Sequence, residues 1–286
     1  MAANLLFKQQ VLAANGGKIK IKKAKKWLYP MAAERIYEKQ LIEVNRIFWD
    51  EVKKTIIPQL PFLVEQAKSI RPDDINARLD YSWFESLKKL TEKTFFDFAA
   101  AVGQPRVSAI ADDQAQRINS LNKKEFVKVI HSAVSVNPII QETWLQPSMK
   151  AFSQNNVNLI TNLATDQRER LQQNLYNNLS AGNGIDAIKE DLIKSESIGK
   201  NRARLIARDQ TNKFNGQLSE LRQTELGIGS YIWTTARDER VRQTHREHEG
   251  KIFSWKNPPY TGHPGSEIQC RCIPQPVITD EMFDVE

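Results

Sequence analysis

Cysteine is nearly absent. Two thiols among 286 residues are too few for a disulfide framework, and they point to synthesis in a reducing cytosol. Histidine is almost as sparse, with four residues. No apolar run approaches the roughly 18 residues of a transmembrane helix, so no membrane partner is expected. The opening MAANLLFKQQVLAANGG lacks a basic region followed by a long apolar stretch, which argues against a secretory signal. Catalytic signatures are missing as well. There is no G-x-x-x-x-G-K-[ST], which disfavours a nucleotide-driven motor, and no H-E-x-x-H, since His248-Glu249 runs straight into Gly250. There is no G-x-S-x-G elbow, no nucleophile–base pair and no fixed-period repeat. The expectation is a non-enzyme with no catalytic residues and no small-molecule substrate. Composition is otherwise that of a soluble chain, 26% charged and 40% hydrophobic, able to bury a core.

Acidic residues are outnumbered, 34 against 41 Lys and Arg, for a net charge of +7. That balance favours acidic partners, DNA among them. The excess gathers in GGKIKIKKAKKW, where Lys18, Lys20, Lys22, Lys23, Lys25 and Lys26 fall within nine residues. The Lys-Ile alternation predicts an extended strand with lysines on one side and isoleucines on the other. Two readings stand side by side. One is a solvated edge strand guarded by lysine; the other is a basic arm (16–26) touching DNA or an acidic protein surface.

After Pro30, apolar residues at Ile36, Tyr37, Leu41, Val44, Phe48, Val52 and Ile56 recur at helical spacing, predicting a helix that Pro58 and Pro61 stop. A second is predicted over 73–102, opened by Asp73-Asp74 and ended by Gly103-Gln104-Pro105. NKKEFVKVIHSAV reads as a short helix capped by Asn122, with His131 on its apolar side and given no role. From about 139 to 226 helix is predicted almost throughout, broken at AGNG and again before Gly199. Beyond 229 the texture changes: SYIWTTA and KIFSW read as strands, and CRCIPQPVI as turns and extended chain. The expected fold is mainly α, with long helices and a small C-terminal α+β module, metal-stapled in one reading. It divides into a helical region 1–140 carrying the basic arm, and a region 141–286 with helices over 141–226 and a Cys/His module at 229–277.

Residues 244–272 hold three of the four histidines and both cysteines. Cys270 and Cys272 are one residue apart, so on an extended chain both sulfurs face one side, where they can share a metal. Structural zinc takes four nitrogen or sulfur ligands. His245 and His248, three apart, would meet on one helical face, and the NPPYTGHPG loop can present His263. The preferred set is His245, His263, Cys270 and Cys272, with His248 as substitute and zinc as the ion. The alternative is two reduced cysteines packed in a small core, with the histidines bonded to loop carbonyls. Large apolar residues in this segment are few: Ile252, Phe253, Trp255, Tyr260 and Ile268. Beside it lie Trp233, Asp238, Arg240 and Arg242. Arginine forks pair with carboxylates, so a structural network is expected there. A competing reading makes Asp238 or Glu239 an acid or base with His245, in a metal-dependent hydrolase or nuclease. A third makes the chain a DNA-binding module built on the lysine arm.

Three stretches, ARDQTNKFN, YIWTTARDERVRQTHREHEGKIF and PPYTGHPGSEIQCRC, resemble the phage head morphogenesis domain, also called the phage Mu F-like minor head protein family. The matching positions are Ala207, Arg208, Thr211 and Asn215; then Trp233, Thr235, Asp238, Arg240, Val241, Arg242, His245 and Gly250; then Pro258, Pro259, His263, Pro264, Gly265, Cys270, Arg271 and Cys272. One departure is Gln210, where many relatives carry an acidic residue. The resemblance covers about 150–277 and nothing in 1–140. It implies a minor component of a tailed-phage head, associated with the portal protein and capsid assembly, linked in some members to DNA packaging or delivery, and suspected of binding metal through Cys and His. Its expected partners are the portal and major capsid proteins, with phage DNA as a further contact, and its expected place is the virion after synthesis in the host cytoplasm.

Overall fold

The computed structural model describes residues 2–68 and 82–283. Helices dominate it: α1 (Ala2–Ala14), α2 (Met31–Thr55), α3 (Leu60–Lys68), α4 (Ser82–Val134), α5 (Leu145–Ser180), α6 (Ile185–Glu225) and the short α7 (Gln243–His248). Strands β1 (Ser230–Thr234), β2 (Ile252–Ser254) and β3 (Ile273–Pro276) form an antiparallel sheet in the order β2-β1-β3. The mainly α class with a small C-terminal sheet is as the sequence predicts. β3 was legible only as extended chain.

The chain folds into two compact units. One comprises 1–36, 112–153 and 207–286; the other comprises 37–111 and 154–206. Each unit therefore takes segments from both sides of residue 140.

In the second unit the predicted stripe of α2 is buried, with Tyr37, Leu41, Val44, Phe48 and Val52 each at most 1% exposed. Polar atoms within this core find partners. Tyr37 donates to Asn156 Oδ1 (2.7 Å) and Trp49 Nε1 donates to Gln167 Oε1 (2.8 Å). Pro61 does not simply stop α2. It sits in the first turn of α3, where a missing N–H costs nothing. The proposed start of the next helix at Asp73-Asp74 lies outside the described residues. Its predicted end is observed as a break in α4 at Gly103, whose φ of +63° leaves the helical region, and helix then resumes. The break expected before Gly199 is absent, and α6 runs on through it. A Cβ there would sit 2.1 Å from Asn45 Oδ1 and 2.7 Å from Gln167 Oε1, so this glycine permits close packing rather than ending a helix.

In the first unit Asn122 is not a cap. It lies inside α4, buried, and donates to the Asn215 carbonyl (3.0 Å) and to Ser219 (2.9 Å). His131 is exposed rather than on the apolar side. One core layer joins Phe7 and Val11 of α1 to Trp27, Phe126 and Ile130, and to Ile273 of β3. Another stacks Phe152 on Phe214 at 4.4 Å.

The lysine segment keeps its predicted two-sidedness. All six lysines are exposed while Ile19 and Ile21 pack on the core. It is not a strand, however, and the sheet explains why. Residues 273, 275 and 277 alternate toward β1, with Val277 N–H donating to the Ser230 carbonyl (3.0 Å). Pro274 and Pro276 then take the outward positions, so the outer edge of β3 has no N–H there to offer another strand. The lysine segment is instead tied to both α4 and β3: Lys22 N–H donates to the Ala133 carbonyl (2.8 Å) and Lys25 N–H to Ser132 Oγ (2.8 Å). Gln275 accepts from the Trp27 N–H (2.7 Å) and donates to the Lys25 carbonyl (3.0 Å).

Candidate metal centre in the C-terminal module

The module is built on the inner face of β1. Tyr231 and Trp233 are fully buried and gather Trp255, Cys270 and Cys272 around them. Of the five large apolar residues between 244 and 272, Ile252, Tyr260 and Ile268 are exposed. The core of that segment is thin and borrows its bulk from β1.

Two turns and a helix bring the ligand atoms in. Trp233 is pinned at both backbone atoms, accepting from Gly250 N–H (2.8 Å) and donating to the Lys251 carbonyl (2.9 Å), which folds α7 back over β1. Gln269, at φ +60°, redirects the chain so that Cys270 and Cys272 face α7. The Pro264-Gly265 turn rests on α6. A Cβ at Gly216 would lie 2.6 Å from the Pro264 carbonyl oxygen, and one at Gly265, which has φ +103°, would lie 2.9 Å from the Asn212 carbonyl oxygen. This close approach accounts for Gly265 in the H-P-G motif. Gly216→Ala should therefore push the turn off α6 and lower stability by about 1–3 kcal/mol. Gly184→Ala, whose Cβ meets nothing within 4 Å, is the matched control. Equal melting temperatures for the two variants would count against that packing.

Three of the predicted ligands converge. His245 Nδ1 lies 3.7 Å from Cys270 Sγ and 3.5 Å from Cys272 Sγ, and all three residues are buried. Tetrahedral zinc with bonds of about 2.3 Å to sulfur and 2.0–2.1 Å to nitrogen separates an S,N pair by about 3.6 Å. The donors already stand at the edges of such a tetrahedron, so the residues fit a zinc-sized ion and supply three of its four corners. Glu267 Oε2 is 3.0 Å from His245 Nε2, close enough to pair with the ring although the contact lacks hydrogen-bond geometry.

His263, the fourth predicted ligand, is elsewhere. Its Nδ1 is 2.8 Å from the Tyr231 hydroxyl and its ring packs at 4.9 Å on Trp255. The turn that rests on α6 fixes it there. The substitute His248 is also committed, with Nε2 3.0 Å from Thr261 Oγ1 and its ring edge-on to Trp233.

The electrostatics suit a cation. Cys270 is pulled down to about 5, first by its hydrogen bond with Cys272 and then by His245, against the effect of burial. Cys272 is pushed up by its bond to Cys270, by burial and by the neighbouring sulfur charge. The two sulfurs behave as one pair sharing a proton. His245 is raised by its hydrogen bond to Cys270, whereas burial lowers His248 and His263. A bound cation displaces such protons.

The predicted network is partly assembled. Arg242 donates to Glu267 (2.9 Å) and to the Ile268 carbonyl (2.7 Å), bracing the loop that leads to the cysteines. Trp233 packs edge-on against His245 at 5.1 Å. Asp238 only closes its own turn, accepting from Arg240 N–H (3.2 Å), and the Arg240 side chain is exposed. Sequence reasoning missed a second anchor. Arg271, between the cysteines, pairs with Glu34 of α2; Arg208 lies 3.6 Å from the same carboxylate, and the Tyr29 hydroxyl donates to it (2.5 Å). Burial alone would raise the Glu34 carboxyl, but Arg271 and Tyr29 hold it below its ordinary value. A signal was present: Glu34 falls in the same three-and-four stripe as Tyr37 and Leu41, a carboxylate on an apolar face. A cavity of about 250 Å³, lined by His245, Cys270, Cys272, Asp238, Arg208 and Arg271 among others, opens beside the centre.

No solved structure matches this chain. A Haemophilus influenzae relative (strain ATCC 51907 / DSM 11121 / KW20 / Rd) bearing the name "Uncharacterized protein" is 28% identical over 256 residues, covering 74% of this chain. The chain spans only 56% of that relative's length. Residues 169–274, which enclose the whole Cys/His centre, match the family described as Phage Mu protein F like protein, the same family that the motifs resemble.

Proposed function

We propose that the protein is a minor head (capsid) protein of a tailed phage, acting in head assembly at the portal vertex and serving genome packaging or delivery. In this reading it is made in the host cytoplasm and carried in the virion. It contacts the portal and major capsid proteins, with the exposed lysine arm meeting phage DNA or an acidic partner. The observation that carries the reading is the family match over 169–274, which encloses the Cys/His centre. Zinc is the ion proposed for His245, Cys270 and Cys272, holding the module as a rigid knob rather than activating a substrate. His263 and His248, with their own partners, are not part of that set.

Virions of a phage encoding this chain should contain it in few copies, with cross-links to the portal protein. Heads of normal composition and infectivity from a phage lacking the gene would overturn the reading.

A further inference from the structure

Between the lysine arm and the outer face of the sheet runs a groove of about 460 Å³. Its floor is apolar: Ile21 and Ala24 of the arm, Ala133 of α4, Ile232 of β1, and Val277 with Ile278 beyond β3. Its rim is cationic, formed by Lys22, Lys23, Lys26 and Arg237, and no carboxylate lines it among the described residues. Arg237 is paired with Glu249 (2.7 Å), but the three lysines make no ion pair among the described residues. The floor continues outward, since Ile232 is registered opposite Ile252, which is 63% exposed. The walls are held apart by design of the backbone. The two prolines of β3 deny the arm a place as a fourth strand, and Gln275 holds it alongside instead.

We propose that this groove docks an acidic, apolar peptide segment of a partner protein, its apolar side chains on the Ile232 floor and its carboxylates at the three lysines. The proposal rests on the reading of the arm as a contact element and narrows it. A nucleic-acid backbone would use the lysines but gains nothing from an isoleucine floor, whereas alternating acidic and apolar side chains answer both.

The test uses the full chain and fluorescence anisotropy with three probes: a labelled peptide alternating glutamate and leucine, polyglutamate of the same charge, and a DNA duplex. The alternating peptide should bind tightest. Lys22→Gln/Lys23→Gln/Lys26→Gln should weaken it by about tenfold or more. Ile232→Thr keeps a β-branched side chain in the strand but replaces an ethyl group with a hydroxyl, and should weaken the alternating peptide by at least the roughly fourfold effect of removing one buried CH2. It should leave polyglutamate unchanged. Loss of binding in the lysine variant with no effect of Ile232→Thr would overturn the groove while leaving the arm as a contact. No effect of either variant on any probe would overturn both. Duplex binding tighter than the peptide, with a log–log salt slope that falls by about 0.9 per lysine lost, would assign the arm to DNA and also overturn the groove.

Discussion

Purified protein is expected to carry about one zinc ion per chain, the count for a single tetrahedral site, and Cys270→Ser/Cys272→Ser should carry none. The argument starts from distances. His245 Nδ1 stands 3.5–3.7 Å from two buried sulfurs, and the Glu267 carboxylate lies 3.0 Å from Nε2 on the far side of the ring. Losing the ion should not unfold the sheet, because Tyr231, Trp233 and Trp255 keep their own core. It should loosen α7 and the chain from 266 to 272, whose remaining ties are the Arg242 contacts with Glu267 and Ile268, the Arg271–Glu34 pair and the His248–Thr261 contact. At free zinc roughly a thousandfold above Kd the ion contributes about 4 kcal/mol, so proteolytic cuts should appear in those two stretches first. Chelation of the unmodified protein should reproduce the serine pattern. Elemental analysis without metal, together with equal protease resistance of the serine variant, would reduce the cluster to packing and hydrogen bonding.

The second large effect is expected at Arg222. Its side chain is fully buried, yet it carries a charge that a protein cannot remove. Its guanidinium donates to Glu142 Oε1 (2.7 Å), Asn122 Oδ1 (2.5 Å) and Asn119 Oδ1 (2.5 Å). Glu142 reaches it from a backbone at φ +47°, a conformation disfavoured for a side chain of that size, and Lys123 takes its other oxygen (2.8 Å). Arg222→Met strands all three acceptors and should cost about 3–5 kcal/mol in chemical denaturation. Arg222→Lys keeps the charge but not the planar fork, so it should fall between the two. Arg222→Met/Glu142→Met should recover most of the loss, because it removes the uncompensated buried charge. The pair also has a pH signature. Burial raises Glu142, but Lys123 and Arg222 bring it net below its ordinary value. Its contribution is therefore complete above the unfolded carboxylate pKa and fades as pH drops through the lower folded value. The wild type should lose stability more steeply in acid than the double variant. A double variant as unstable as Arg222→Met would show that the cost is lost packing rather than stranded charge.

Much of this architecture was written in local periodicity. The α2 stripe, the AGNG break and the aromatic strands β1 and β2 are short-range signals, and each became the expected element. What escaped notice depends on residues far away in sequence. Gly199 looks like a helix stop until Asn45 and Gln167 fill the space where its side chain would be. Asn122 looks like a cap until Asn215 and Ser219 occupy its amide. The lysine segment has strand spacing, but Pro274 and Pro276, some 250 residues on, offer it no N–H to pair with, and its own Lys22 N–H is taken by the Ala133 carbonyl of α4. The centre was half legible. The one-residue gap of the cysteines placed both sulfurs together, and α7 delivered His245. His263 was assigned by loop proximity, whereas its turn is seated on α6 through Gly216, a contact with no mark in the local sequence.

The interleaving of the two compact units sets an order of events during translation. The unit formed by 37–111 and 154–206 has all its segments once residue 206 has emerged from the ribosome. The other also needs 207–286, and its core includes Ile273 and Phe283. Until they arrive, Phe7, Trp27 and Ile130 lack part of their covering, and α1, though it precedes the other described elements in sequence, is among the last of them to find its final environment. Ribosome-bound chains stalled short of β3 should therefore expose apolar surface to chaperones around α1, the reverse of the usual vectorial order.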